Sequence, residues 1–196
     1  MNEKREYVHE RPTSDQIERE LRRRELTGEA HKTIIRAAKT LIVFAAVAVL
    51  IVTLLFPTIQ VQRGSMSPTL RDGEQLILIS VGNIKRGDII AFHLGSQTMI
   101  KRVIAVAGEW IDISENGTVQ IDGTILEEPY LVAQLTGESD IELPFQVPDN
   151  HYFVMGDNRA ISMDSRISDF GTVHQDEVIG KTVLRIWPLN KIGFVL

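Results

Sequence analysis

The sequence predicts a mostly β protein in which an all-β domain, shaped as a barrel or sandwich, is anchored by one N-terminal transmembrane helix. Two patterns indicate this architecture. Residues 41–56 form an apolar run without a charged side chain, and beyond Pro57 short β-rich runs alternate with glycines. Many short strands with turns between them favour a barrel or sandwich over alternating strands and helices. The β-rich runs are 75–80, 88–93, 99–106, 110–113, 118–121, 151–155 and 181–187.

The apolar run is the candidate membrane span. Extended upstream it covers 34–56, which is about the 20 residues that a bilayer requires, and the flanking Arg36 and Lys39 can snorkel towards the headgroups. Two alternatives stay open, a buried core helix and a cleaved signal peptide. The run has no polar face, which argues against a buried core helix. No small-x-small cleavage site follows Phe56, which argues against a cleaved signal peptide.

The distribution of basic residues predicts the orientation of this span. Only Arg63 and Arg71 lie close after it, and the other flank is richer in basic residues. The positive-inside rule therefore predicts a cytoplasmic N-terminus and an extracytoplasmic domain after residue 56. The basic residues of the N-terminal segment include Arg22, Arg23, Arg24, Lys32, Arg36 and Lys39, all of which precede the uncharged run 41–56.

These patterns predict three segments. A charged tail covers 1–33, the transmembrane helix 34–56, and the β domain 57–196, with a small insertion around 115–150. Beyond residue 56 the chain is acidic on balance, so nucleic acid is not expected as a partner.

The composition excludes several kinds of site. The sequence has no cysteine, which rules out a thiol nucleophile, a cysteine-ligated metal and a disulfide framework. It has no HExxH or comparable metal spacing and no glycine-rich phosphate loop, so we expect neither a metal nor another cofactor. A Ser-His-Asp triad stays open, although none of the histidines lies in the stretches that carry most polar residues. They are His9, His31, His93, His151 and His174.

A candidate nucleophile lies just beyond the span, in the stretch RGSMSPTL at 63–70. Gly64 lets the backbone approach a ligand closely, and Pro68 fixes the chain that follows. Ser65 between them could present its hydroxyl on a strained turn, with its own N–H directed at a substrate carbonyl. An ordinary surface turn is the alternative for this stretch taken alone.

A candidate base lies in the β-rich run MIKRVIAV at 99–106. Strand alternation places Lys101 on one face with Met99 and Val103, and such apolar neighbours would desolvate its amine. Desolvation lowers the pKa of a lysine towards neutrality, so that the amine can act as a general base. The alternative is a lysine that snorkels from the edge of a sheet.

The stretch GDNRAISMDSR at 156–166 holds the highest density of polar residues. Two aspartates and two arginines within one short loop predict a buried network of paired charges, because unpaired charges there would be costly. A solvated surface loop is the alternative.

In this order, these stretches resemble the motifs of bacterial type I signal peptidases. The resemblance rests on SMSPTL at 65–70, RGDIIAF at 86–92, KRVIAVAGE at 101–109 and GDNRAISMDSR at 156–166. It extends from about residue 41 to the terminal RIWPLNKIGF.

The resemblance implies a serine endopeptidase of the bacterial plasma membrane, which removes signal peptides after small residues in Ala-x-Ala sites. Ser65 would be the nucleophile, Lys101 the general base and Ser162 the residue that orients the lysine amine. Asp164 and Arg166 would form a structural ion pair. The expected partners are preproteins, the export machinery and the lipid bilayer. The substrate pocket would be lined by Ile59, Val61, Met66, Leu70, Met99 and Ile100.

Three positions depart from the family pattern, and two other classes of protein share part of it. Ala107 stands where proline is usual and Glu109 where aspartate is usual, which concerns a turn. Arg63 stands where many members have glycine and some have a serine whose hydroxyl completes the oxyanion hole. Self-cleaving repressors share the serine–lysine pair but lack a membrane span. A non-enzymatic anchored β domain would be expected to have a degenerate site, whereas Ser65, Lys101 and Ser162 are all present.

Overall fold

The computed structural model describes residues 14–55, 57–80, 82–133 and 135–195. The chain divides into two compact units after Leu54. Two expectations fall partly outside the described residues, namely the charged tail over residues 1–13 and the end of the span at Phe56.

The first unit contains the helix α1, Ser14–Leu55. At about 1.5 Å per residue its 42 residues extend roughly 63 Å, about twice the thickness of a bilayer core. Within it, His31–Ile51 is long and apolar enough to cross a membrane by length and composition, with a mean hydropathy of 2.3. No residue of this window is buried, which argues against the core-helix alternative.

The second unit consists of β-strands in two sheets, which confirms the prediction of a mostly β fold with one N-terminal apolar helix. Short 3-10 helices at Gln175–Glu177 and Leu189–Lys191 connect the last strands. The strands are β1 Thr58–Gln60, β2 Gln75–Ile79, β3 Ile89–Leu94, β4 Gln97–Val106, β5 Trp110–Ile113, β6 Val119–Ile121, β7 Thr124–Ile125, β8 Phe145–Gln146, β9 His151–Met155, β10 Val173–His174, β11 Val178–Trp187 and β12 Gly193–Phe194.

The larger sheet has the strand order β1-β2-β11-β3-β4-β9-β10, with β12 paired to β11, and the smaller sheet has the order β7-β6-β5-β8. Neighbouring strands are antiparallel in both sheets. The predicted insertion around 115–150 contains three strands of the smaller sheet, whose remaining strand β5 begins earlier, at Trp110.

The larger sheet is buried on both faces at its centre. In β3, Ile89 and Ala91 belong to one hydrophobic cluster and Ile90 and Phe92 to another, as the period of two of a strand requires. A third cluster joins residues of β4 and β9 to residues of the smaller sheet. The centre of the sheet is therefore a rigid support for side chains on β4.

Among the described residues, β1 and the first half of β4 each have an open edge in the larger sheet. β1 pairs there with β2 alone. The first half of β4, residues 97–101, pairs with β3, whereas β9 pairs with β4 only from Arg102 onwards. Both β1 and the first half of β4 line the cleft described next.

Candidate active site

A cleft of about 620 Å³ lies between β1, the turn that follows it and the first half of β4. The loop 156–166 contributes two exposed apolar side chains to its wall. The lining residues are Thr58, Ile59, Gln60, Val61, Gln62, Arg63, Ser65, Met66, Gln97, Thr98, Met99, Ile100, Lys101, Ile161 and Met163.

Ser65 is presented to the cleft by a tight turn. Arg63 and Gly64 both have a left-handed backbone, with φ of 69° and 62°. The Gly64 N–H donates to Asp72 Oδ1 at 2.6 Å, and the Ser67 N–H donates to the Gly64 carbonyl at 3.1 Å. Ser65 is half-buried, and within the described residues its N–H and its hydroxyl form no hydrogen bond. Both groups are therefore available to a ligand in the cleft.

The loop 156–166 packs directly against the backbone of Ser65. The Asn158 N–H donates to the Ser65 carbonyl at 3.0 Å. A Cβ at Gly156 would lie 2.5 Å from the Ser65 carbonyl oxygen and would also overlap the side chain of Ser162. Glycine is thus required at 156 by sterics, because Ser65 and Ser162 approach the same backbone atom.

Lys101 reaches this junction from β4. Its side chain is buried, with 4% exposed, and Nζ donates to Ser162 Oγ at 2.7 Å. Among the described residues Lys101 forms no ion pair. Burial lowers the pKa of Lys101 from 10.5 to about 8, although the negative charges of Asp164 and Asp157 partly oppose that effect. A substantial fraction of this amine is therefore neutral near pH 8.

The positive charges around Lys101 are paired with carboxylates. Arg102 Nε and Nη2 donate to the two oxygens of Asp157 at 2.9 and 2.7 Å. Arg166 Nε and Nη2 donate to the two oxygens of Asp164 at 2.8 and 2.9 Å. Both pairs are buried and bidentate, which is the geometry in which a desolvated ion pair is stable. Unlike these two arginines, Lys101 has no carboxylate partner among the described residues.

Comparison with known proteins identifies the family. The family described as "Signal peptidase, peptidase S26" matches residues 34–187. The chain belongs to this family. As a member it is a peptidase that acts on signal peptides.

Several relatives match over most of the chain. The chain is 35% identical to Signal peptidase I of Bacillus licheniformis over 170 residues, covering 79% of this chain and 89% of the relative. It is 34% identical to Signal peptidase I T of Bacillus subtilis (strain 168), covering 82% and 89%. A crystal structure of a signal peptidase I from Enterococcus faecalis V583 has 33% identity and a TM-score of 0.45, covering 52% of this chain and 98% of that one.

Three of the four signal peptidase motifs contribute residues to the cleft. SMSPTL provides Ser65, KRVIAVAGE provides Lys101 and GDNRAISMDSR provides Ser162. Gly156 lies against the Ser65 carbonyl and the Ser162 hydroxyl, and that hydroxyl accepts from the Lys101 amine. Asp164 and Arg166 form the buried ion pair described above. Their catalytic and structural roles stay predictions.

The predicted pocket residues divide into two groups. Ile59, Val61, Met66, Met99 and Ile100 line the cleft. Leu70 does not. Its side chain is fully buried in the hydrophobic cluster that also contains Val61 and Met66, so it supports the wall of the cleft from the core.

A third ion pair was missed by sequence reasoning. Glu128 pairs with Arg159 through both carboxylate oxygens, and both side chains are buried. Tyr130 donates to Glu128 Oε1 at 2.6 Å, and its ring lies 3.9 Å from the guanidinium carbon of Arg102. Arg102 and the stretch GDNRAISMDSR did hold a signal, because three arginines (Arg102, Arg159 and Arg166) stand there against two aspartates. One of these arginines therefore required a carboxylate from another part of the chain.

Two other kinds of site concern the described histidines and acidic residues. None of the described histidines lines the cleft, so no imidazole is placed to activate Ser65 there. No group of three or more His, Asp or Glu side chains among these residues could hold a metal ion.

Proposed function

We propose that the chain is a membrane-bound serine endopeptidase in which Ser65 is the nucleophile and Lys101 the general base. One observation carries this proposal. Lys101 is a buried amine without a carboxylate partner among the described residues, and it shares a cleft with a serine whose hydroxyl has no hydrogen bond there. A lysine amine that burial brings to a pKa of about 8 can accept a proton from a serine hydroxyl without a histidine.

The shared cleft supports the following acylation step. The neutral Lys101 amine removes the proton from Ser65 Oγ while that oxygen attacks the scissile carbonyl. The Ser65 N–H donates to the resulting oxyanion. As the C–N bond breaks, the Lys101 ammonium protonates the leaving amine, which leaves an ester on Ser65 and a neutral lysine. The same amine then activates a water molecule, whose attack releases the carboxylate and restores the Ser65 hydroxyl.

Ser162 would orient the base. Because Lys101 Nζ donates one hydrogen to Ser162 Oγ, rotation about the last side-chain bond is restricted. The amine lone pair then has few available directions. This restriction supports a role for Ser162 as the residue that orients the base.

The substrate would bind as an extended strand with small side chains on both sides of one residue, as in an Ala-x-Ala site. The open edges of β1 and of the first half of β4 both line the cleft and leave backbone groups for such pairing. Its apolar wall consists of bulky side chains that are largely buried, such as Val61, Met66 and Ile100. Subsites above these side chains would be shallow, which would favour alanine over larger residues.

We also propose a single-pass arrangement in the bacterial plasma membrane. The helix α1 would cross the bilayer within 34–56, with the charged tail 1–33 in the cytoplasm and the β domain 57–196 outside, because basic residues are concentrated before the apolar window. Preproteins delivered by the export machinery would meet the cleft on the outer side. Protease added to intact cells should degrade the β domain and spare the tail; the reverse pattern would overturn this orientation.

The catalytic proposal is tested with the full chain in detergent micelles and a peptide that contains one Ala-x-Ala site. Ser65→Ala and Lys101→Ala should each lower kcat/KM by at least about 10³-fold, and the double variant should be no worse than either single variant. Ser67→Ala is the matched control, since Ser67 lies in the same turn outside the cleft lining. Retained activity in Lys101→Ala would refute the mechanism.

A further inference from the structure

The cleft carries one exposed positive charge beside the nucleophile. Among its lining residues only Arg63 and Lys101 are charged, and none is acidic. Lys101 is buried and bound to Ser162, whereas the Arg63 side chain is exposed. A peptide that enters the cleft therefore meets the Arg63 guanidinium in contact with solvent.

The Arg63 side chain has donors to spare. Nη1 donates to Gln97 Oε1 at 3.4 Å, a long contact between the two sides of the cleft, and Arg63 forms no ion pair within the described residues. The same turn does hold a carboxylate, Asp72. Its Oδ1 accepts from the Gly64 N–H at 2.6 Å, and Asp72 is not among the residues that line the cleft. The guanidinium can therefore bind an anionic group of the substrate.

The backbone at Arg63 is also unusual. Its φ of 69° lies in the left-handed region, which glycine adopts freely and which a residue with a Cβ adopts only at a cost in free energy. A strained residue beside a nucleophile motivates a search for its function. A glycine would satisfy the backbone here, so the reason for an arginine must lie in its side chain.

We propose that Arg63 makes this peptidase select preproteins that carry a carboxylate close to the scissile bond. The proposal rests on the proposed function, because it concerns the substrate of the same site. The guanidinium presents a planar set of donors that fits both oxygens of a carboxylate, and it repels a substrate lysine in the same place. For an exposed pair the attraction amounts to a factor of up to about five in binding.

The test uses the full chain in detergent micelles and a series of peptides with one Ala-x-Ala site. Each flanking position carries Asp, Asn or Lys in turn. At one position at least, kcat/KM should follow the order Asp, Asn, Lys, with about a fivefold difference between the extremes. The difference should shrink in about 1 M salt, where the screening length falls to about 3 Å.

Substitutions at Arg63 separate its charge from its shape. Arg63→Gly should remove the difference between the peptides, and Arg63→Glu should invert it so that the Lys peptide is cleaved fastest. Arg63→Lys should retain the preference for Asp. Arg71→Gln is the matched control, since Arg71 is an exposed arginine near the same turn but outside the cleft, and it should keep the wild-type order.

Four outcomes would contradict the proposal, the last of them in a parallel assay with vesicles of anionic lipid in place of micelles. Equal cleavage of all peptides by the wild type, or an Asp preference that survives in Arg63→Glu, would overturn it and leave the proposed function intact. No cleavage of any peptide would overturn both. An effect of Arg63 that requires vesicles with anionic lipid, and that ignores the peptide charge, would mean that the guanidinium binds lipid phosphate instead.

Discussion

Lys101 and Arg102 are neighbours in β4, and both are buried, with 4% and 2% of their surface exposed. Arg102 has a carboxylate partner, whereas among the described residues Lys101 has none. Lys101 lies opposite Ile90 of β3 and Arg102 opposite Ile89, and these two isoleucines belong to different hydrophobic clusters. Arg102 has a bidentate aspartate, the Gly87 carbonyl at 2.8 Å and an aromatic ring. Lys101 has one serine hydroxyl.

The contrast shows how one strand can hold a base and a permanent cation side by side. Successive side chains point to opposite faces, so a carboxylate that neutralises one position need not pair with the next. Desolvation without a paired anion lowers the pKa of Lys101. A guanidinium stays charged under the same burial, and therefore needs its partner.

The largest expected effect comes from placing methionine at each of the two positions. Arg102→Met leaves Asp157 buried without its partner and should lower the free energy of unfolding at pH 7 by about 3 to 5 kcal/mol. Lys101→Met removes a buried ammonium and should raise it by about 1 to 3 kcal/mol, at the expense of activity. Urea unfolding followed by tryptophan fluorescence measures both, because Trp110 and Trp187 lie in the β unit.

The stability difference between Lys101→Met and the wild type should depend on pH. The folded-state pKa of Lys101 is lowered from 10.5 to about 8. Between these values the unfolded chain binds more protons than the folded one, so the stability of the wild type rises with pH through this window. The advantage of Lys101→Met should therefore vanish above about pH 10.5. A constant advantage across this window would mean that Lys101 is not desolvated.

An intermediate effect is expected at Glu128, which lies outside the loop 156–166 and pairs with Arg159 of that loop. Glu128→Gln removes the charge that neutralises Arg159, whose Nε donates to the Gly156 carbonyl at 3.1 Å. We expect about 2 to 3 kcal/mol less stability and a lower kcat/KM, because Gly156 adjoins both Ser65 and Ser162. Glu127→Gln, at an exposed neighbouring carboxylate, is the control and should behave as the wild type. Equal behaviour of the two variants would remove Glu128 from the support of the site.

The smallest effect, about tenfold, concerns the pH profile of cleavage. With a pKa of about 8, roughly one tenth of Lys101 is neutral at pH 7, so kcat/KM should rise about tenfold and level off above pH 9. Lys101→Arg should stay inactive throughout, because a guanidinium is not deprotonated in this range. An ascending limb centred near 10.5 would assign Lys101 the pKa of an exposed lysine.

Local sequence patterns were sufficient for much of this protein. An uncharged apolar run requires a helix in a bilayer, and short β-rich runs between glycines require a sheet, which is why the mostly β class with one apolar helix is confirmed. Alternation alone predicted that Lys101 and Arg102 would face different sides of β4. The order of the motifs predicted the family, which the match over residues 34–187 confirms.

Only the tertiary structure decided which groups meet. Arg159 pairs with Glu128, which lies 31 residues away in a stretch where no pattern marks it. Leu70 is in the same motif as Ser65 but packs in the core, because the turn directs it away from the cleft. Burial and charge pairing depend on distances across the folded chain, whereas a sequence pattern reports only the few residues on either side.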